Sequence, residues 1–292
     1  MCEDRRVHDA VLSWYAAHAR DLPWRAHDRT PWGVLVSEVM LQQTPVTRVE
    51  PVWREWMARW PRPADLAATE SGEAIRAWGR LGYPRRALRL HGAARVITER
   101  HGGAVPAEYD DLIALPGVGE YTAAAVSVFA FGARRSVLDT NVRRVLARTV
   151  TGTRYPPTAP TAAERRLADD LLPDEAEAPA WSVAVMELGA VVCTARSPRC
   201  TQCPIASSCA WRRAGHPDDD GPPRRGQPWT GTDRQARGRL MAVLREAHGP
   251  VPKDQLDAVW SHAMQRERAL DGLVADGLVE PLDGQHYRLP RA

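Results

Sequence analysis

The stretch Leu115-Pro116-Gly117-Val118-Gly119 runs straight into Glu120-Tyr121-Thr122-Ala123-Ala124-Ala125, setting a two-glycine turn against a segment of high helix propensity. Glycine lets a backbone come close to a ligand. The amide hydrogens of such a turn, together with the positive end of the following helix, form a sequence-independent site for a phosphate group. The same string also fits an ordinary tight turn, so its surroundings decide the matter. Outward from it, residues 7 to about 212 show helical spacing broken by Pro and Gly at Arg59-Trp60-Pro61-Arg62-Pro63, His101-Gly102-Gly103 and Tyr155-Pro156-Pro157. Period-two alternation is scarce, and an all-α body over residues 1–215 is expected.

The segment 216–232, with Asp218-Asp219-Asp220-Gly221-Pro222-Pro223, is polar and rich in Pro and Gly, as a linker would be. After it come helical patterns at 234–247, 253–260 and 262–275. Two short apolar runs then flank Asp283-Gly284, a strong hairpin signal. Three helices and a hairpin over residues 233–292 predict a small winged-helix-like (α+β) module, which could meet DNA or only pack against protein.

The bulk properties are permissive. At 292 residues the chain can fill one large domain or two moderate ones, and 44% hydrophobic with 26% charged residues excludes disordered and fibrous classes. No apolar run approaches membrane-spanning length, and Met1-Cys2-Glu3-Asp4-Arg5-Arg6 leads into no secretory-type apolar stretch, so a cytoplasmic, reducing setting without a membrane partner is expected. A formal charge of +3 permits a polyanionic partner without demanding one. Lys253 is the sole lysine in the chain.

Four of the five cysteines fall as Cys193-x6-Cys200-x2-Cys203-x5-Cys209. A reducing compartment disfavours disulfides, and so tight a group reads as a metal site. Structural zinc usually takes two short Cys-x2-Cys knuckles and only one is present, so a four-thiolate cubane is preferred, with zinc the alternative. The spacing resembles the iron-sulfur loop of the endonuclease III and MutY superfamily, over residues 7 to about 212. That resemblance implies the helix-hairpin-helix DNA glycosylase fold, a [4Fe-4S] cluster on 193–209, and Arg196, Arg199, Arg212 and Arg213 as groups that meet the DNA backbone. It also implies that the Gly117 and Gly119 turn is the phosphate-binding hairpin, with a functional aspartate about twenty residues beyond it, which here is Asp139.

Breaking an N-glycosidic bond needs a proton donor for the leaving base and a fixed carboxylate for the cationic sugar. Glu38 and Asp139 are the candidates. Glu38 lies among Trp32, Leu35, Val36, Val39 and Met40 on an apolar helical pattern that would raise its pKa; a solvated helix glutamate is the plain alternative. Asp139 also fits a helix N-cap ahead of Val142-Arg143-Arg144-Val145-Leu146. The string Ser37-Glu38-Val39-Met40-Leu41-Gln42-Gln43-Thr44 resembles the catalytic segment of MutY-type adenine glycosylases. By that resemblance Glu38 protonates N7 of a flipped adenine and Asp139, with Asn141 as neighbour, stabilises the oxocarbenium ion. Gln43 and Thr44 then contact the base opposite, Trp24 and Arg25 line the adenine pocket, and Tyr83 of Leu81-Gly82-Tyr83 wedges into the stack. Tyr121 holds the place where bifunctional relatives carry a lysine nucleophile, which implies a monofunctional enzyme.

Pro84, Thr140 and Val183 depart from the family pattern, and the usual Nudix-like C-terminal domain is replaced by the predicted module. The implied partner is double-stranded DNA with adenine opposite 8-oxoguanine or guanine, met by a bacterial, nucleoid-associated monomer. A same-fold glycosylase for mismatched thymine or uracil or for oxidised pyrimidines is the nearest alternative, and a non-catalytic, cluster-bearing DNA-binding protein the more distant one. Trp53, Trp56 and Trp60, at helical spacing, are expected in the core. Purified protein should be brown, with about four iron atoms per chain by elemental analysis; a colourless protein holding zinc would refute the cluster.

Overall fold

The computed structural model describes residues 2–218 and 229–291; part of the expected linker, 219–228, lies outside the described residues. Up to residue 218 the described secondary structure is helical, and strands occur only in the C-terminal segment. The chain divides into two compact units that interleave in sequence. One takes the residues up to Val34, Ala107–Ile113 and the chain from Val118 through the cysteine segment. The other takes Leu35–Pro106, Ala114–Gly117 and the C-terminal segment.

In the first unit the helix Ala178–Val191 buries Trp181, Ala184, Val185 and Leu188, an i, i+3, i+4, i+7 stripe, against Val11 and against Val142, Val145 and Leu146 of the helix Thr140–Leu146. The Thr140–Leu146 helix runs on into a π-helical turn, Ala147–Thr151. The helix Glu120–Phe131 buries Thr122 through Val128 and stops at Gly132, whose φ of 74° makes a left-handed cap. Its Ala124, Ala125 and Val128 pack with Val137 and Tyr121.

The second unit gathers tryptophans. Trp56 of the helix Val46–Arg59 meets Trp60 edge-on at 4.9 Å and Trp78 of the helix Ser71–Trp78 at 5.6 Å, all three buried. Trp53 is half-buried. The C-terminal segment forms the helices Asp233–Glu246, Lys253–Asp257 and Ala263–Ala275 and a three-stranded antiparallel sheet. The sheet is made of β1 (Val251–Pro252), β2 (Glu280–Leu282) and β3 (His286–Arg288) in the order β1-β3-β2, with Tyr287 opposite both Val251 and Pro281. β1 is absent from the sequence reading because two residues carry no alternation to detect.

This small module is pinned to the helices Ser71–Trp78 and Arg85–Arg100 within its own unit. The Gly72 amide donates to the Pro290 carbonyl at 2.7 Å, Arg76 donates to the Arg245 carbonyl, and Arg85 pairs with Asp276 at 3.2 Å. A Cβ on Gly72 would stand 2.6 Å from the Pro290 oxygen and 2.9 Å from Leu289 Cβ. Gly72→Ala is therefore expected to push the C-terminal strand end away and cost about 1–3 kcal/mol, read as a lower thermal midpoint; an unchanged midpoint would show that the tail docks weakly.

Candidate active site and cluster loop

Asp139 begins the helix Thr140–Leu146 as its N-cap. Its Oδ1 accepts from the Val142 amide at 2.6 Å, and its Oδ2 accepts from Asn141 Nδ2 at 2.6 Å. Asn141 in turn accepts from Arg144 Nη2 at 2.8 Å, while the same guanidinium donates to the Gly189 carbonyl at 2.7 Å and to the Cys193 carbonyl at 2.7 Å. Burial pushes the Asp139 carboxyl above its ordinary value, and the hydrogen bonds from Val142 and Asn141 offset that only in part. The neighbouring helix approaches so closely that a Cβ on Gly189 would meet Asn141 at 2.7 Å. Thr140 is exposed and leaves the cap intact.

Glu187 is an acidic group that the sequence reading passed over. It is fully buried, and Arg20 clasps it with Nε at 2.6 Å and Nη2 at 2.7 Å while Arg25 Nη1 adds a bond at 3.0 Å. Burial alone would raise its pKa, but the two arginines more than offset this and hold the group below the ordinary carboxylate range. Its signal was legible: a lone acid between Met186 and Leu188 in an apolar helix. Trp24, buried beside Arg25 in a short 3-10 turn, Pro23–Arg25, belongs to the same unit.

The hairpin's two glycines differ in need. Gly117 has φ 79° and a Cβ there would stand 2.5 Å from Arg89 Cβ, so only glycine fits. Gly119 is extended, caps the helix Glu120–Phe131 and has open space where a Cβ would point. Tyr121, half-buried, packs against Ala124 and Ala125.

Glu38 sits on the helix Pro31–Leu41 at 5% exposure, among buried Leu35, Val36, Val39 and Met40. In the second unit with it are Gln43, exposed, Thr44, buried, and Tyr83, 53% exposed. Asp139, Asn141, Tyr121, Trp24 and Arg25 fall in the first unit.

All four cysteines line one cavity with Val145, Arg148 and Trp211. Among the described residues no three His, Cys, Asp or Glu side chains converge closely enough to hold a single metal ion. A mononuclear zinc draws its sulfurs within about 2.3 Å of one point. Thiols spread around a shared cavity suit a polynuclear cluster, and these residues fit [4Fe-4S]. Burial pushes the Cys193 thiol up and the Cys203 thiol up to about 11, so the bound cluster must displace protons to gain its thiolates. Arg148, missed in the sequence although one helical turn beyond Arg144, is 1% exposed. It donates to the Thr194 carbonyl at 2.8 Å and the Ala195 carbonyl at 3.0 Å, lies 3.4 Å from Cys193 Sγ, and stacks over Trp211. Arg196, Arg199, Arg212 and Arg213 are exposed, as a DNA-facing role requires.

Residues 36–168 match the model of the HhH-GPD superfamily base excision DNA repair proteins, and residues 193–209 match the iron-sulfur binding domain of endonuclease III. An adenine DNA glycosylase of Mycobacterium tuberculosis is 53% identical over 290 residues, covering 98% of this chain and 94% of the relative. One from Mycolicibacterium smegmatis is 53% identical over 271 residues, covering 92% and 91%. The structure of a thermostable thymine-DNA glycosylase superposes with a TM-score of 0.66 at 29% identity, covering 73% of this chain and 98% of that one. The Mycobacterium tuberculosis likeness thus spans nearly the whole chain, whereas the solved neighbour leaves about a quarter of it unmatched.

Any step that needs Asp139 ionised should fail as pH falls through its raised pKa, so the acid limb of the rate should lie above the ordinary carboxylate value. Asn141→Leu removes a bond that favours the ionised form and should move that limb to still higher pH in single-turnover profiles. An unmoved limb would take Asn141 out of this role.

Proposed function

Because this chain belongs to the adenine DNA glycosylases of the HhH-GPD base-excision repair superfamily, we propose that it flips adenine out of duplex DNA opposite 8-oxoguanine or guanine and hydrolyses its glycosidic bond. The observation that carries this reading is the pair of carboxyls in contrasting settings. Glu38 is buried on an apolar helix, a setting that suits a proton donor to N7 of the flipped base; Asp139 is fixed by two hydrogen bonds, a setting that suits a fixed carboxylate for the cationic sugar. As the base leaves neutral, the sugar becomes an oxocarbenium ion that Asp139 stabilises, and Glu38 then takes the proton of the incoming water. Glu187 is ionised and spent on Arg20 and Arg25, so it supplies no proton.

Trp24 and Arg25 line the adenine pocket, Gln43 and Thr44 read the opposite base, and Tyr83 enters the stack. The amides at Gly117 and Gly119 hold a backbone phosphate. Residues 1–215 carry the chemistry, 193–209 the cluster loop, 216–232 the linker and 233–292 the module; the protein acts as a monomer at the bacterial nucleoid. The cluster shapes its loop and takes no part in bond breaking.

A monofunctional course is supported by the one lysine. Lys253 Nζ is held by Glu267 at 2.6 Å and Asp257 at 2.9 Å, bonds that raise its pKa and keep it protonated, and by the family resemblance Tyr121 takes the position of the lysine nucleophile of bifunctional enzymes. The test is single-turnover excision on duplexes with A opposite 8-oxoguanine, A opposite G, T opposite G and U opposite G, with and without alkali. Strand breaks at adenine only after alkali are expected, and Glu38→Gln should lower them about 10²–10⁴-fold while duplex binding persists. Breaks at T or U, or turnover retained in Glu38→Gln, would overturn the reading.

A further inference from the structure

One buried guanidinium in the second unit holds both loops that meet DNA on the proposed reading. Arg86, 7% exposed, is the second residue of the helix Arg85–Arg100. Its Nη1 donates to the carbonyls of Val39 at 3.0 Å, Met40 at 3.1 Å and Gln42 at 2.6 Å, at the C-terminal end of the helix that carries Glu38. Its Nη2 donates to the Thr44 hydroxyl at 3.1 Å and to the Gly82 carbonyl at 3.0 Å. The Trp78 and Tyr83 rings lie 5.2 Å and 5.6 Å from the guanidinium carbon. Among the described residues it forms no ion pair; burial lowers its pKa to about 10, which leaves it cationic at neutral pH.

Two of those carbonyls have a particular place in the chain. The Gln42 carbonyl belongs to the peptide that leads into Gln43, and the Gly82 carbonyl to the peptide that leads into Tyr83. Gln43 has φ 54° and Tyr83 has φ 49°, both in the left-handed region that is unfavourable for an L residue. Each of the two loops therefore turns through an unfavourable conformation just after a peptide plane that Arg86 grips, and each exposes its tip to solvent. An ammonium group, with three donors on one atom, cannot span both arms of this arrangement.

We propose that Arg86 is a positioning residue that fixes the opposite-base loop, Gln42–Thr44, and the wedge loop, Leu81–Tyr83, at one spacing, so that opening the stack and reading the opposite base occur in a single register. The inference rests on the DNA contacts assigned above to Gln43, Thr44 and Tyr83. It places the role of Arg86 in extrusion and partner reading, before the bond-breaking step.

The test compares wild type with Arg86→Lys on a duplex with A opposite 8-oxoguanine and on a duplex with adenine in an unpaired bulge, where extrusion is already accomplished. Arg86→Lys should lose about 10–100-fold in single-turnover rate on the paired substrate, with little loss on the bulge. A 2-aminopurine next to the adenine should also brighten less on binding. Equal loss on both substrates, or no loss on either, would overturn the positioning role. Wild type that releases no adenine would instead overturn the functional reading on which it rests. Thermal midpoint and cluster absorbance report whether the variant folds. Should it not fold, Arg86→Gln carries the test: its single amide can reach one loop but not both, so the loss should again be confined to the paired substrate, and equal loss on both substrates or none on either refutes the proposal.

Discussion

The Arg144 guanidinium is the joint on which the first unit's site depends. On one side it orients Asn141, and through Asn141 the second oxygen of Asp139; on the other it closes on the carbonyls of Gly189 and Cys193. The cap of a seven-residue helix is thereby tied to the residue that begins the cysteine loop. A carboxyl raised in pKa by burial is held in one orientation by a chain of polar groups, each satisfied by the next. The absence of a side chain at Gly189 is what lets the two helices approach closely enough for this chain to form.

The same device recurs. Arg86, Arg144 and Arg148 are all buried and largely saturated by main-chain carbonyls, while Arg20 and Arg25 converge on the buried Glu187. Taking a charge out of water is costly unless its donors are used, and a planar fork with five of them can satisfy several carbonyls at once. The near-absence of lysine, which composition alone attributes as easily to coding bias as to function, thus acquires a structural sense: several of these arginines are internal fasteners for irregular backbone at helix ends.

Much was legible in the sequence because it was written locally. The helical body, the hairpin turn, the cap at Asp139, the cysteine loop and the C-terminal helices with their hairpin all come from spacing and punctuation. What was missed depends on contacts remote in sequence. Glu187 meets Arg20 across 167 residues and Arg144 meets Cys193 across 49, and no pattern within either segment states the partner. β1 escaped for the opposite reason, being a two-residue strand defined only by its pairing with β3. Arg86 reads in sequence as one basic residue beside another, Arg85, although one is buried beneath two loops and the other reaches out to Asp276.

The engagement of Lys253 by two carboxylates bears on the fate of the product. A sugar stripped of its base equilibrates with an open-chain aldehyde, and an aldehyde is trapped or cleaved by a free amine. On the proposed reading this chain has no free lysine amine to offer, so it would release an intact strand bearing a reactive, non-coding abasic sugar, a lesion more hazardous than the mismatch it replaced. Its work is then complete only if a backbone-cutting activity takes over the product promptly, and slow release would protect the genome better than rapid turnover.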